Sequence, residues 1–407
     1  MDGLGWRPAS MLDSLRNRAF RWLWLGQLAM AVTFQMSTVA QGWLVYELTG
    51  SAFALGWVGA GWSLSALILS PYAGVISDRV EKRNLAVGMQ LAIALNGAIL
   101  AILVVLGSVR IWHLAASSLV SGVLFSFMMP AEVAMVAELV DRRTLLNANA
   151  TMSIGMGLTG ILGPSAAGLM IAAAGAGGVY GLVAGINLLA VLALIRLPCA
   201  GRADASAAPI WTDLKEGLKY VGRTRVLVTL LGLLCVLAVF SMPYQTFMPK
   251  FAKEVMRLDA RGLGLLLAAP GVGSLASSLG MVMLGDYRNK GKLLLAAGGL
   301  CGVALMVFVY SPTLAMMLLL LCLVGAASNA CMVTNETLLQ AQCDDRYRGR
   351  VMSMVLIMWS LMPLATIPAG LLVDRIGVAP VVALQGGLLA AVFLAAWVAK
   401  PHLRRLG

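Results

Sequence analysis

The sequence predicts an all-α membrane protein of twelve transmembrane helices, arranged as two pseudo-symmetric six-helix bundles. Three observations lead there. The 407-residue chain is 60% hydrophobic and only 12% charged, about half the charge content of an ordinary soluble domain, which is roughly 25%. Its uncharged stretches are repeatedly long enough to cross a bilayer, for which about 20 apolar residues suffice. Its 30 Lys and Arg residues fall almost wholly into every second loop.

Read from one charged residue to the next, the first four spans are Trp22–Tyr46, Leu48–Ser77, Asn84–Val109 and Ile111–Ala131. Thr144–Ile195 is of double length and breaks at Ala174–Gly178, where Gly favours a turn, which yields spans five and six. Val226–Pro249 and Gly262–Gly285 are spans seven and eight. Leu293–Asn335 is again double, divided at Tyr310-Ser311-Pro312 into spans nine and ten, and Val351–Val373 and Ile376–Ala399 complete the twelve. Met1–Phe20 precedes a 25-residue run, too long for the apolar part of a signal peptide, and no small-residue cleavage pattern follows. The segment is therefore expected to be retained.

Charge orients the chain. With an even number of spans both termini share one side. The opposite side holds six basic residues, Arg110, Lys250, Lys253, Arg257, Arg261 and Arg375, which leaves 30 − 6 = 24 on the side of the termini. Positive loops stay in the cytoplasm, so both termini are expected there, and the net charge of +12 reflects topology rather than nucleic-acid binding. Cys199, Cys235, Cys301, Cys322, Cys331 and Cys343 have no C-x-x-C spacing and read as small hydrophobes. The two His, His113 and His402, stand far apart, so neither a metal nor a cofactor is expected. The sole Gly-Lys pair, Gly291-Lys292, is followed by Leu293 rather than the Ser or Thr of a phosphate loop. No charged pore rings or selectivity filter stand out. A channel or a membrane enzyme is thus disfavoured.

The longest hydrophilic stretch between spans, Arg196–Arg225, lies near the midpoint, which divides the chain into 1–197, a cytoplasmic linker 198–222, and 223–407. Pro198–Pro209 is rich in Ala, Gly and Ser. Asp213-Leu-Lys-Glu216 then starts a short helix in the manner of a capping box. Leu214, Leu218 and Val221 oppose Lys215, Lys219 and Arg223, which suits a helix lying on the inner membrane surface. The flanking halves look related. An offset of 204 positions pairs Gln41 with Gln245, Glu132 with Glu336, Pro164 with Pro368, and Asp141-Arg142 with Asp345-Arg346. A register shifted by four aligns Asp78 and Lys82 with Asp286 and Lys290. A parallel repeat of two six-helix halves is an arrangement of secondary transporters.

Between spans two and three stands Gly74-Val-Ile-Ser-Asp78-Arg79-Val-Glu-Lys82-Arg83. It resembles the G-x-x-x-D-R-x-x-(R/K)-(R/K) loop of the major facilitator superfamily. Gly permits close helix approach, Asp offers a charge partner, and the basic cluster stays at the anionic inner leaflet. The resemblance implies a gating role for Gly74, Asp78, Arg79, Lys82 and Arg83. The second-half counterpart, with Asp286 and Lys290, has its Gly285 directly before the Asp. The opening Leu15-Arg-Asn-Arg-Ala-Phe-Arg-Trp-Leu-Trp-Leu-Gly26-Gln27 is similar to the bacterial branch of enterobactin-exporter-like and drug-efflux proteins, and so is Asp345-Arg346-Tyr-Arg348-Gly349-Arg350. Gly160, Gly163, Pro164 and Gly168 in span five resemble the Gly/Pro-rich antiporter motif of exporters; small residues there also serve tight helix packing.

In this family spans one, four, seven and ten line the cavity, and polar stripes match: Gln27, Thr38 and Gln41; Ser121 and Phe125; Tyr244 and Gln245; Asn329. Polar groups facing lipid are costly, so these faces should look at protein or water. Glu132 and Glu336 are candidate proton carriers, since intramembrane carboxylates default to functional roles. Ion pairs with Arg142 or Arg346 are the alternative. The Arg found in span four of many drug–proton antiporters is missing, with Ser118 near its place. The resemblance thus implies a monomeric secondary transporter of the bacterial inner membrane. It would export a small amphipathic molecule, drug-like or siderophore-like, against protons by alternating access. Import and lipid flipping remain open on the same fold.

Overall fold

The turn before the second helix is set by a glycine. α1 (Arg18–Thr49) starts where the Asn17 side chain accepts from the Ala19 and Phe20 N–H groups, and stops where Gly50 turns left-handed at φ 63°. α2 (Ala52–Arg79) runs back, followed by α3 (Lys82–Val105) and α4 (Ile111–Leu139). The structure is a computed structural model and describes residues 17–139, 145–196, 219–284, 287–344 and 347–406.

α5 (Leu145–Leu194) comprises 50 residues, about 75 Å if straight, far beyond one bilayer. It is not straight. Gly175, at φ 71° and ψ 177°, divides it where the sequence analysis expects a break. The two arms fold back on each other: Gly155 of the first arm faces Leu28 of α1, while Leu194 at the end of the second faces Gly26.

A helical turn at 219–223 leads into α6 (Arg225–Ser241) and α7 (Pro243–Lys250), with a π-helical turn at Phe251–Val255. α8 (Ala260–Leu284), α9 (Lys290–Phe308), α10 (Leu314–Ala341), α11 (Arg348–Ser360), α12 (Met362–Ile376) and α13 (Val378–Ala399) follow, then a 3₁₀ turn at Leu403–Arg405. The predicted break at Tyr310–Pro312 falls between α9 and α10, where Thr313 caps the Met316 N–H. Two expected spans are bent rather than continuous. Span seven divides at Pro243 and span eleven at Pro363, because proline lacks the N–H that would continue the helical ladder. Among the described residues, ten helical stretches are long and apolar enough to cross a membrane. No strand occurs among the described residues. Most of the predicted linker, including Asp213–Glu216, lies outside the described residues.

The Asn17 amide donates to the Leu139 carbonyl at 2.7 Å, and the Gly291 N–H to the Leu406 carbonyl at 3.0 Å. These contacts gather the starts of α1 and α9, the end of α4 and the chain's C-terminal turn at one end, called the terminal end below. Every positive φ among the described residues lies in turns of the opposite, far end: Gly50, Gly107, Gly175, Arg257 and Gly377. In a bilayer, helix association rests on close packing and on polar links rather than on the hydrophobic effect. One such link joins α1, α3 and the second arm of α5: Gln90 Nε2 donates to Asn187 Oδ1 at 2.7 Å, and Thr33 Oγ1 to the same oxygen at 3.4 Å. All three residues are buried.

Candidate functional site

A cavity of about 180 Å³ lies where helices from both sequence halves meet. α1 contributes Gln35, Thr38, Gln41 and Gly42, α2 contributes Leu55, Val58 and Gly59, and α5 contributes Pro164. From the second half come Gln245, Thr246 and Pro249 of α7, Leu267 of α8, and Met362 at the bend between α11 and α12. Both proline-bent segments therefore reach the cavity. Three carboxamides and two hydroxyls stand among apolar walls, with no charged side chain among those walls. Such a surface can satisfy an uncharged, hydrogen-bonding ligand without desolvating a fixed charge.

The predicted cavity residues divide into three groups. Thr38, Gln41 and Gln245 form walls, and Gln41 and Gln245 are a pair at the 204-residue offset. Gln41 also donates to the Leu114 carbonyl at 2.9 Å, and Thr38 Oγ1 to the Phe34 carbonyl at 2.9 Å. Ser121 and Phe125 border a smaller void of about 50 Å³ with Thr33, Phe34 and Ser37. Beside it Phe34, Trp62 and Phe125 form an aromatic triad with centroids 5.2–5.9 Å apart. Gln27, Tyr244 and Asn329 are not walls of either void. Tyr244 is 3% exposed and meets Phe308 edge-on, and the Asn329 amide donates to the Ser274 carbonyl and Ser278 hydroxyl of α8. The polarity of Asn329 thus serves helix packing, a use that helical periodicity does not distinguish from lining a cavity.

Of the gating motif, Gly74, Asp78 and Arg79 fall on α2, and their side chains lie outside the described residues, as do Asp286 and Glu132. Lys82 begins α3 and is buried; Arg83 lies 3.6 Å from Glu81. Lys290 begins α9, and Glu336 is half-buried on α10.

Two seams join the halves beside the cavity. In one, α5 and α8 run antiparallel at backbone contact. A Cβ on Gly168 would sit 2.5 Å from the Ala260 carbonyl oxygen, one on Gly264 2.7 Å from that of Pro164, and one on Gly271 2.8 Å from that of Gly160. Of the span-five motif, Gly160, Pro164 and Gly168 thus face α8. Gly163 faces α1, where its Cβ would meet Gln35 at 2.5 Å. In the other seam, α2 meets α12: Gly56 abuts the Thr366 carbonyl and Gly370 that of Ala52.

The far end carries a charged cluster that the sequence analysis counts only as loop charge. Asp374 on α12 accepts from Ser51 Oγ at 2.6 Å, Ala52 N at 2.7 Å and Phe53 N at 3.0 Å. Lys250 at the end of α7 reaches Asp374 at 2.8 Å and the Gly50 carbonyl at 3.3 Å. Nearby, Tyr46 donates to Glu254 at 2.6 Å, and Lys253 contacts Glu47 at 3.2 Å while lying over the Trp43 ring. Asp374 stands one residue beyond the uncharged run Val351–Val373. Partial burial by itself would raise its pKa, but hydrogen bonds from Lys250, Ser51 and the Phe53 and Ala52 N–H groups outweigh that and hold it at about 2. No local pattern in the sequence brings these residues together, since Ser51 and Asp374 stand 323 positions apart.

Comparison with known proteins agrees with this architecture. Residues 23–366 match the family model described as Major Facilitator Superfamily. The multidrug efflux pump Tap of Mycolicibacterium fortuitum is 29% identical over 354 residues, covering 84% of this chain and 86% of that one. Macrolide efflux protein A of Streptococcus pyogenes is 23% identical over 379 residues, covering 92% and 94%. Among solved structures, a bacterial homologue of the human lysosomal transporter Spinster superposes with a TM-score of 0.72 at 14% identity, over 95% of this chain and 96% of that one. At that identity the likeness speaks for the fold alone.

Proposed function

The chain belongs to the major facilitator superfamily and is a multi-pass membrane transporter; from that premise we propose that it exports small, amphipathic, drug-like molecules by alternating access, driven by protons. The observation that carries this reading is the amide-lined cavity walled by both sequence halves. Counting the two arms of α5 separately and 348–376 as one crossing gives twelve spans, six on each side of the linker 198–222. In this reading the protein works as a monomer in the bacterial inner membrane, with both termini cytoplasmic on the strongly basic side. The void of about 180 Å³ is smaller than the roughly 300–1,000 Å³ of drug-binding pockets. A drug-sized substrate therefore requires one seam to part, either α2 from α12 or α5 from α8. Export is favoured over import because the relatives named above are an efflux pump for multiple drugs and one for macrolides.

Glu132 and Glu336 are the proposed proton carriers, and Asp78 with Arg79, Lys82 and Arg83 the gate at the terminal end. One proton moving through about 100 mV supplies about 2.3 kcal/mol, enough for roughly fiftyfold accumulation of a neutral molecule. The test is uptake into everted vesicles acidified inside. Substrate should accumulate, collapse with a protonophore, and be blunted by Glu132→Gln. Asp78→Asn should insert normally yet transport poorly. Uptake that ignores the protonophore removes the coupling, and wild-type turnover of Asp78→Asn removes the gate.

A further inference from the structure

We propose that Asp374 is the latch of the far end: by capping α2 across the boundary between the halves, its carboxylate holds that end shut and sets how often the cavity opens there. The proposal rests on the alternating-access reading above.

A helix start leaves its first N–H groups without intrahelical partners. At α2 these are satisfied from outside the helix. Ser51 Oγ accepts from the Ala54 N–H, while Asp374 takes the N–H groups of Ala52 and Phe53 and the hydroxyl proton of Ser51. The Asp belongs to α12 of the second half, so α2 completes its own first turn only while the halves touch at this end. Lys250 supplies the mirror contact. Its ammonium meets the Gly50 carbonyl, at the C-terminus of α1. An anion at a helix start and a cation at a helix end are the two favourable placements in the helix dipole. Here the second half provides both to the first, and the two charges also pair with each other.

The position suits a latch. Val45 and Leu55 of the cavity wall each lie about one to two turns from the Gly50 turn, and Pro249 is the residue before Lys250. The cluster therefore sits on the roof of the cavity. Asp374 is partly open to water, which can replace its donors when the contact breaks, so opening is reversible rather than prohibitive. Both seams also close near this end, through Gly56 with Thr366, Ala52 with Gly370, and Gly168 with Ala260. Their contacts are apolar or between backbones, and any single van der Waals contact is weak. Charge-assisted hydrogen bonds are roughly twice as strong as neutral ones, so the Asp374 cluster, which gathers four donors on one carboxylate, ties the halves more strongly than any single seam contact, with Tyr46–Glu254 and Lys253–Glu47 beside it.

The test is thiol labelling of Thr246→Cys, a wall of the cavity, with a charged methanethiosulfonate applied to intact cells and separately to everted vesicles. The full chain is used, and labelling of the unsubstituted chain is subtracted. Adding Asp374→Asn should raise the rate from the far-end face about tenfold or more, with no rise from the other face. Lys250→Met should raise it less, because Ser51 and two N–H donors still hold the carboxylate. A rate unchanged from both faces overturns the latch, and so does an equal rise from both, which would mean general loosening. If Asp374→Asn fails to reach the membrane, Ser51→Ala and Lys250→Met decide: no rise in either overturns the proposal. Labelling needs neither substrate nor gradient. Loss of transport with the labelling pattern intact would instead count against the transport reading.

Discussion

Gly168 of α5 and Gly264 of α8 touch backbone to backbone. A Cβ on the first would lie 2.9 Å from the Cα of the second, and one on the second 3.0 Å from the Cα of the first. The seam between the halves is therefore as close as two helices come, and no side chain fits between them.

From this contact follows the first prediction. Gly168→Val pushes α5 off Ala260 and Gly264, at a cost of about 1–3 kcal/mol for overpacking. If the proposed export of drug-like molecules holds, resistance of cells expressing the chain should fall at least tenfold while membrane insertion persists. Gly181→Ala is the control, since nothing lies within 4 Å of a Cβ there. Growth assays on both variants, with expression matched by immunoblot, check the contrast. Equal effects from the two would mean that the seam is not special.

Gln245 and Gln41 share the cavity but not their bonding. Gln41 is tied to the Leu114 carbonyl, whereas Gln245 is exposed and, among the described residues, its side chain meets only groups on its own segment, the Met242 sulfur at 4.0 Å and the Tyr244 side chain. Gln245→Leu should therefore shift preference among substrates by roughly threefold to tenfold, one hydrogen bond's worth, with the melting temperature in detergent unchanged. Gln41→Leu should lower both transport and melting temperature, because it leaves a carbonyl without its donor. Resistance profiles and thermal denaturation of the two variants separate these outcomes.

That the chain is helical and crosses a membrane many times was legible from charge spacing, because a bilayer penalises charge so heavily that its absence marks a crossing. The turn at Gly175 and the break at Tyr310–Pro312 were legible for the same reason that Gly and Pro stop helices generally. Bends at Pro243 and Pro363 were less so, since a bent crossing keeps its apolar run. Which polar residues face the cavity was only half legible. Thr38, Gln41 and Gln245 reach the cavity, whereas Tyr244, from the same stripe as Gln245, packs its ring on Phe308 and Asn329 bonds α8. The far-end cluster was not legible at all. Asp374 and Ser51 are separated by 323 positions, and no local pattern announces a cap supplied by another helix.

The buried trio Thr33, Gln90 and Asn187 supports a third prediction. Asn187→Leu removes the acceptor that Gln90 Nε2 and Thr33 Oγ1 share, stranding a buried amide donor. An interhelical hydrogen bond in a membrane averages about 0.6 kcal/mol, but a stranded donor costs about 1–3 kcal/mol. The single variant should therefore unfold at lower temperature than Gln90→Leu/Asn187→Leu, in which both partners become apolar. A double-mutant cycle by thermal denaturation in detergent measures this. Additive losses would mean that the bond contributes little.

The last prediction concerns pH at the far end. Asp374 ionises at about 2 in the folded chain, against an ordinary 3.8. A carboxylate whose folded pKa is depressed contributes stability that is fully present above its unfolded value and fades as pH falls through its folded value. The melting-temperature difference between the wild-type chain and Asp374→Asn should thus be constant from pH 8 to pH 5, and should shrink only below about pH 4. The cap consequently stays ionised throughout the range in which a transporter's proton gradient operates, so it cannot itself be the group that loads and releases the coupled proton. In the proposed proton-coupled reading that step falls to carboxylates within the spans, and the proposed latch then opens when substrate or proton binding elsewhere shifts the balance against a tie of constant strength. If the difference instead declined between pH 8 and pH 6, Asp374 would be titrating there, and the separation of latch from proton site would fail.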